Sequence, residues 1–288
     1  MIDAFKQKCE DVTWITRDNA ELTALFRKTF PSDAVQLKNG KCLIISQEKY
    51  DDYPNRDGSH KDVIELTKTF KSFGCHQPVI KRDIPDARGF RDVMSEFKKS
   101  LAHHPESYDY VVVCILSHGT LNKTRNDEEF VGTTGDCVSS EELLSMITDA
   151  HQCPVLKDKP KLFLIQACRG ALDNDISSCK SQPSLGHSPE GFPGAEILKG
   201  EIRTSGYFKA YSTIKHYVAY RHSLKGSPFI QAFCKTMQEL GHQCYSLVKI
   251  MQKTGEDLGR QGLPQCAEWT STIVQDLYFT RQDKLAEI

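Results

Sequence analysis

Two stretches decide the fold: residues 110–119 read YVVVCILSHG, and residues 161–170 read KLFLIQACRG. Each begins with an apolar run, which is typical of a parallel strand covered on both faces of a sheet. Each then ends in small and polar residues. Because ligands of open parallel sheets bind at the carboxyl ends of the strands, we expect His118 and Cys168 to lie close together.

The rest of the chain alternates between strand-like and helix-like segments. This order predicts an α/β fold with a mostly parallel sheet flanked by helices. The stretch 171–205 breaks the pattern with Asp, Ser, Pro and Gly, which indicates a long functional or disordered loop. Further strands are predicted at 41–46, 77–81, 207–211 and 270–279, and helices at 63–73, 90–97, from Ser139, 228–240 and 246–253.

Composition excludes several classes of function. The chain has 288 residues and a net charge of −1, which argues against nucleic-acid binding because there is no basic excess. Its 11 cysteines include no Cys-x-x-Cys spacing, so we expect reduced thiols in a cytoplasmic protein with no metal or other cofactor. No apolar stretch approaches the roughly 20 residues that span a bilayer, so no membrane association is expected.

The pair His118 and Cys168 suits acyl transfer. A thiolate is a strong nucleophile, and a nearby imidazole can take the thiol proton and return it to a leaving amine. Backbone N–H groups of Gly119 and Cys168 would stabilise the oxyanion. Alone, such a cysteine is more often a core thiol and such a histidine a loop residue, so only their placement at adjacent strand ends favours catalysis.

The chain resembles the caspases. QACRG at 166–170, with a histidine 50 residues upstream, matches the caspase signature. SHG at 117–119, AYST at 210–213 and GSPFIQAF at 226–233 are similar to caspase segments in the same order. RDGSHKD at 56–62 and the tetrapeptide at 218–221 most resemble the initiator branch represented by caspase eight, whose paired N-terminal recruitment domains the chain is expected to lack.

The resemblance implies a three-layer fold around a sheet of about six strands, with the last strand, at 270–279, antiparallel at a dimer interface. It implies an endopeptidase that cleaves proteins after aspartate in apoptotic or immune signalling. The implied parts are an N-terminal segment or prodomain at 1–34, a large catalytic subunit at 35–175, a linker at 176–205 and a small subunit at 206–288.

The resemblance also assigns substrate-binding residues. Arg56, Gln166 and Arg221 would hold the aspartate carboxylate, and the planar fork of a guanidinium suits that group. Val218 and Tyr220 would shape the neighbouring subsites. The Pro54 carbonyl would orient His118. Where relatives usually have tryptophan the chain has Pro228, so the pocket for the fourth residue before the cut would lack an aromatic wall.

A zymogen follows from the same resemblance. The long loop contains two aspartates, and we expect maturation after Asp175, with Asp173 two residues before the cut. Asp33 is a second expected processing site. Expected partners are protein substrates with Asp before the cut, a second copy of the chain, and caspase inhibitors or activators.

Two rival functions remain open. One is a catalytically silent caspase-like regulator, although such proteins typically lose the catalytic Cys or His. The other is a relative that cuts after arginine or lysine, such as a metacaspase or paracaspase. The second would need acidic residues in the first pocket, and Arg56 with Arg221 argues against it.

Overall fold

A computed structural model describes residues 34–75, 77–122, 126–170, 206–241 and 245–280. The predicted cut sites Asp33, Asp173 and Asp175 and the linker at 176–205 lie outside these ranges. The helices within them are α1 (Ser59–Ser72), α2 (Ala87–Leu101), α3 (Ser140–Thr148), α4 (Pro228–Leu240) and α5 (Leu247–Arg260). The strands are β1 (Val35–Leu37), β2 (Gly40–Ser46), β3 (Val79–Arg82), β4 (Tyr110–Leu116), β5 (Gly119–Asn122), β6 (Asp127–Val131), β7 (Cys137–Ser139), β8 (Lys161–Gln166), β9 (Tyr207–Tyr211), β10 (Glu268–Ser271) and β11 (Leu277–Phe279).

The centre of the protein is a six-stranded sheet in the order β10-β9-β8-β4-β2-β3. All neighbouring strands in it are parallel except β10, which runs antiparallel to β9. The predicted mostly parallel sheet of six strands is therefore confirmed. All seven residues of β4 and all six of β8 are buried, which explains why both stretches are almost entirely apolar.

Helices cover both faces of this sheet. On one face, residues of α1, α4 and α5 such as Phe70 and Phe233 pack against Val112 of β4. On the other face, residues of α2 and α3 pack against the alternate β4 side chains, including Val113. Successive side chains of a strand point to opposite faces, so one apolar strand contributes to both cores. This arrangement is the predicted three-layer fold.

The predicted helix start at Ser139 has the expected cap. The Ser139 side chain accepts a hydrogen bond from the Glu142 N–H at 3.1 Å, and two acidic residues occupy the first turn. This satisfies one of the N–H groups that a helix leaves unpaired at its start. The predicted helix at 246–253 is longer than expected and continues to Arg260, past Gly255 and Gly259, which lower helix propensity without ending this helix.

The prediction of one last strand at 270–279 is wrong. The structure has β10, which ends at Ser271, and β11, which begins at Leu277 and pairs in parallel with β1 in a separate small sheet. Between them the Ser271 hydroxyl accepts from the Ile273 N–H at 3.0 Å, a local bond that competes with ladder pairing. Only β10 is therefore the antiparallel edge strand of the main sheet.

A separate three-stranded sheet, β5-β6-β7, is antiparallel, follows directly after His118 and was not predicted. Its first residue, Gly119, pairs with Phe130. This sheet fixes the chain just beyond His118 and so helps to position it.

Within the described ranges, no helix is long and apolar enough to cross a membrane.

Candidate active site

His118 and Cys168 leave the main sheet side by side. Leu116 of β4 pairs with Gln166 of β8, so the two segments that follow start at the same edge. Their backbones touch: a Cβ added to Gly119 would lie 2.2 Å from the Cys168 carbonyl oxygen and 3.0 Å from the Ala167 Cβ. Only glycine fits at this approach.

The N–H of Gly119 points away from the neighbouring strand β6. The Val131 N–H donates to the His118 carbonyl at 3.1 Å, which marks the rung before Gly119 as a hydrogen-bonding one. Because antiparallel ladders alternate, Gly119 and Phe130 then form a non-hydrogen-bonded pair. The Gly119 N–H therefore takes no part in the ladder with β6.

The His118 imidazole is held in one tautomer. Its Nε2 lies 2.7 Å from the carbonyl oxygen of Pro54. A carbonyl can only accept, so Nε2 carries the proton and Nδ1 keeps a lone pair. The rings of Tyr50 and Tyr53 flank the imidazole, with centroids 4.7 Å and 5.9 Å away.

The environment keeps this imidazole neutral. Burial lowers the pKa of His118 to about 4, and the positive charges of Arg56 and Arg221 act in the same direction, while the hydrogen bond to Pro54 opposes them. At neutral pH the side chain is therefore an uncharged base with its acceptor nitrogen at Nδ1.

The Cys168 thiol is partly exposed and lies against the segment 218–221. The Ala219 N–H donates to its Sγ at 3.4 Å, and the Ala219 carbonyl oxygen is 4.0 Å from the same sulfur. Burial lowers the pKa values of Arg56 and Arg221, and the charge of the Cys168 sulfur raises them. The sulfur and the two guanidinium groups are therefore within electrostatic reach of one another.

Arg56 and Arg221 come together beside this thiol. Arg56 is 1% exposed, and its Nη1 donates to the Gln47 carbonyl at 2.8 Å and the Ser59 hydroxyl at 3.0 Å. Arg221 donates through Nε to the Asp57 carbonyl at 2.9 Å. Among the described residues neither arginine forms an ion pair, although the buried Asp62 carboxylate raises both pKa values from nearby.

The two guanidinium groups are electrostatically unsatisfied. Burial lowers the pKa of Arg56 to about 10, and the charge of Arg221 lowers it further. Burial also lowers the pKa of Arg221, while Asp62, Asp57, Cys168 and Tyr50 oppose this lowering. Two neighbouring like charges that form no ion pair within the described residues favour the entry of an anion.

Gln166 closes the same region. Its Nε2 donates to the Tyr220 carbonyl at 3.3 Å, while its Oε1 is buried without a hydrogen-bond partner in the described part of the chain. The three residues predicted to bind substrate, Arg56, Gln166 and Arg221, are thus brought together next to Cys168. Val218 is 42% exposed at the rim.

Along the segment 218–221, successive backbone groups face different partners. Tyr220 is turned inward: its N–H donates to Gln265 Oε1 at 2.9 Å and its carbonyl accepts from Gln166. Gln265 is buried and donates to the Ser212 carbonyl at 2.8 Å. Ala219, next to Tyr220, faces the Cys168 sulfur instead.

Arg169 ties the Cys168 loop to the sheet edge. Its side chain is 7% exposed and forms ion pairs with Glu128 at 2.7 Å and Glu268 at 3.1 Å. Its guanidinium carbon lies 4.0 Å from the centre of the Tyr211 ring. Its backbone N–H donates to the Tyr217 carbonyl at 3.0 Å, which holds the approach to the segment 218–221.

Sequence reasoning missed three residues of this site: Tyr50, Ala219 and Gln265. Tyr50 lies 68 positions before His118, although its hydroxyl accepts from the His118 N–H. Nothing in the sequence pattern marks such a long-range contact. The role of Gln265 likewise became visible only in the structure.

Known proteins resemble this chain in both sequence and fold. Human Caspase-10 is 30% identical over 227 residues, which cover 77% of this chain and 39% of that protein. Cell death protein 3 of Caenorhabditis remanei is 27% identical over 273 residues, covering 85% of this chain and 51% of that protein. The chain thus matches about half of these relatives' length or less, and the particular likeness to the caspase-eight branch stays a prediction.

A solved structure has the same fold. The crystal structure of Caspase-1 from Spodoptera frugiperda superposes with a TM-score of 0.65 at 21% identity, covering 85% of this chain and 93% of that one. The family model described as Caspase domain matches residues 39–278, which include all strands of the main sheet and the whole candidate site. The chain therefore belongs to the caspase domain family.

Proposed function

We propose that this protein is a cysteine endopeptidase that cleaves proteins after aspartate. The observation that carries the proposal is a pair of arginines without an ion pair among the described residues, the buried Arg56 and the partly exposed Arg221, beside a Cys168 thiol and a neutral His118 imidazole. The arginines supply an anion site and the other two residues supply acyl-transfer chemistry. Their proximity predicts that the bond cut is next to the anionic residue.

The reaction would begin with transfer of the Cys168 proton to His118 Nδ1, the ring nitrogen with a lone pair. The sulfur attacks the peptide carbonyl carbon, and the oxyanion receives hydrogen bonds from the N–H groups of Gly119 and Cys168. His118 then protonates the leaving amine, so the C–N bond breaks and a thioester remains. Water, deprotonated by His118, hydrolyses the thioester and restores the thiol.

The substrate would bind as an extended strand along the segment 218–221. Because Tyr220 is turned inward, the backbones of Ala219 and Arg221 alternate toward the cleft and can pair with a peptide. The aspartate carboxylate would enter between Arg56 and Arg221, with the Gln166 amide at its side. Val218 and Tyr220 would contact the residues before the aspartate.

A substrate without the carboxylate would be rejected. Arg56 is buried and Arg221 is partly buried, and an uncharged side chain would leave both without an anion. Relatives that cut after basic residues require an acidic pocket, which the two arginines oppose. Aspartate is thus favoured over asparagine by charge at nearly equal size.

We further propose maturation in the segment between the two halves of the site. A cut after Asp175, with Asp173 two residues earlier, would separate a large subunit at 35–175 from a small one at 206–288, which would stay joined to the linker at 176–205. Asp33 would be cut to remove the N-terminal segment. Two such units would then join through the edge strand β10. The name of the related Cell death protein 3 supports a role in cell-death signalling, which would place the protein in the cytoplasm.

One experiment tests the protease and its maturation together. The purified chain and a Cys168→Ala control are incubated with a peptide library, and both the peptides and the chain itself are analysed by mass spectrometry. We expect cuts confined to peptide bonds after aspartate, self-cleavage after Asp175, and neither in the control. A wild type that cuts nothing, even when the linker is cleaved by an added protease, would instead favour a catalytically silent regulator.

A further inference from the structure

Tyr50 lies after β2, in the segment that leads to Pro54, and its side chain is 8% exposed. Its hydroxyl oxygen meets three polar groups. The His118 N–H donates to it at 3.0 Å, the Ser117 hydroxyl lies 3.1 Å away, and the Val131 carbonyl oxygen lies 3.3 Å away. The hydroxyl can therefore accept from His118 and donate to Val131 at once.

This hydroxyl interrupts the ladder between β6 and the chain at His118. The Val131 N–H donates to the His118 carbonyl. In a regular antiparallel rung the His118 N–H would return the bond to the Val131 carbonyl. Here the His118 N–H donates to Tyr50 instead, and the Val131 carbonyl receives the hydroxyls of Ser117, at 2.9 Å, and Tyr50. The Tyr50 hydroxyl oxygen thus takes the place of the Val131 carbonyl as the acceptor for the His118 N–H.

Tyr50 also reaches the other end of His118. Its ring packs on the imidazole with centroids 4.7 Å apart. Its backbone N–H donates to Asn55 Oδ1 at 3.0 Å, which closes the loop that carries Pro54. The Pro54 carbonyl in turn accepts from His118 Nε2. One residue thus contacts the backbone and ring of His118 and supports the loop that fixes its tautomer.

The ordinary alternative is that a buried tyrosine has simply found a partner for its hydroxyl. Tyr108 is such a case, because its hydroxyl only donates to the Leu101 carbonyl at 3.0 Å, far from the site. Tyr50 differs because its oxygen is the acceptor for the amide of His118. We propose that Tyr50 is a positioning residue, whose hydroxyl holds the His118 backbone out of the β6 ladder and whose ring fixes the imidazole. This inference rests on the proposed protease function.

Removal of the hydroxyl has a defined consequence. In Tyr50→Phe the ring remains, but the His118 N–H either loses its partner or moves to complete the rung with Val131. The second outcome draws the His118 backbone toward β6, while Pro54 still holds the ring nitrogen. A displacement of about 1 Å in a catalytic group can cost on the order of 100-fold in rate. The loss should fall on kcat, because the contacts proposed for substrate binding do not include Tyr50.

The test compares wild type, Tyr50→Phe and Tyr108→Phe, each as the full chain cleaved in the linker. Rates on a peptide with one internal aspartate are divided by the number of active sites, counted by titration with an irreversible thiol inhibitor. We expect kcat of Tyr50→Phe to fall about 10- to 100-fold, with KM within about 3-fold. Tyr108→Phe should lose similar thermal stability with kcat within about 2-fold. A Tyr50→Phe kcat within 3-fold of wild type would overturn the proposal.

A second measurement tests the positioning role if Tyr50→Phe does not fold or if the wild type has no protease activity. In a Cys168→Ala chain, 3-fluorotyrosine at position 50 keeps the ring and hydroxyl but weakens the oxygen as an acceptor. We expect NMR to show altered resonances for the His118 amide and for the His118 ring, whereas 3-fluorotyrosine at position 108 leaves both unchanged. Unchanged His118 resonances would contradict the positioning role, whether or not the protein is a protease.

Discussion

Two buried arginines lie near Cys168 on different sides, and the chain treats them differently. Arg169 has the carboxylates of Glu128 and Glu268 and the face of Tyr211. Arg56 is more deeply buried, yet its hydrogen bonds go to a carbonyl and a hydroxyl, and it has no ion pair within the described residues. Arg169 is thus paired with two carboxylates, while Arg56 has the Asp62 carboxylate nearby but forms no ion pair with it.

The difference teaches how to separate a structural charge from a binding one. A buried charge is costly unless it is paired, so an unpaired guanidinium is retained at a cost to stability. That cost is recovered when an anion enters the pocket. Arg221 repeats the pattern, because its bonds go to the backbone carbonyls of Asp57 and Asn55. The region of Arg56 and Arg221 should therefore affect activity, and the region of Arg169 should affect stability.

The largest expected effect is on activity and concerns the region of Arg56 and Arg221. Arg56→Gln removes one fork that would hold the substrate carboxylate, so kcat/KM for a peptide with one internal aspartate should fall by about 1,000-fold or more. The preference for aspartate over asparagine should fall to about 10-fold. Because the variant also removes an unbalanced buried charge, the free energy of unfolding should stay within about 1 kcal/mol of wild type.

The measurement is steady-state cleavage of paired aspartate and asparagine peptides, with urea unfolding of the same samples. Lys68→Gln is the matched control, since it removes a positive charge elsewhere on the surface of α1. An Arg56→Gln protein that unfolds easily but retains its aspartate preference would reverse the roles that we assign to the two regions.

A smaller effect is expected on stability and concerns the region of Arg169. Arg169→Lys keeps the positive charge but loses the fork that reaches Glu128, Glu268 and the Thr213 carbonyl together. We expect the free energy of unfolding to fall by about 2–3 kcal/mol, because two carboxylates lose hydrogen-bonded partners in a partly buried site. The preference for aspartate over asparagine should not change.

Urea unfolding monitored by circular dichroism measures this loss, and Arg88→Lys provides the control. Arg88 also pairs with an acid, Asp92 at 3.8 Å, but its side chain is 88% exposed, so the same exchange should cost almost nothing. If Arg169→Lys proved as stable as Arg88→Lys while losing aspartate preference, Arg169 would belong to the binding pocket.

The contrast also shows what could be read from the sequence. The apolar runs of β4 and β8 predicted adjacent strands, and their ends placed His118 beside Cys168. The pairing of Arg169 could not be predicted, because Glu128 and Glu268 lie 41 positions before it and 99 positions after it. The Tyr50 contact was missed for the same reason. Periodicity reports which face of an element is buried, but not which loop side chains meet across the fold.

The smallest expected effect is on the titration of His118. Burial lowers its pKa to about 4, and the charges of Arg56 and Arg221 contribute to the lowering. Arg221→Gln removes one of these charges, so the midpoint should rise toward the ordinary value near 6.5. Arg169→Lys retains its charge and should leave the midpoint where it is, even though it destabilises the fold. NMR of the His118 ring in a Cys168→Ala chain measures both.

The same shift has a consequence for stability. Because the folded chain holds His118 neutral down to about pH 4 while the unfolded chain protonates it near 6.5, the unfolded state binds more protons between these values. The contribution of His118 to stability is therefore present above pH 6.5 and is lost as the pH falls toward 4. Arg221→Gln should bring the folded and unfolded pKa values of His118 closer together. Acid should therefore destabilise this variant less than it destabilises the wild type. An unchanged midpoint in Arg221→Gln would mean that burial alone sets the His118 pKa and that the unbalanced arginine charge does not reach the imidazole.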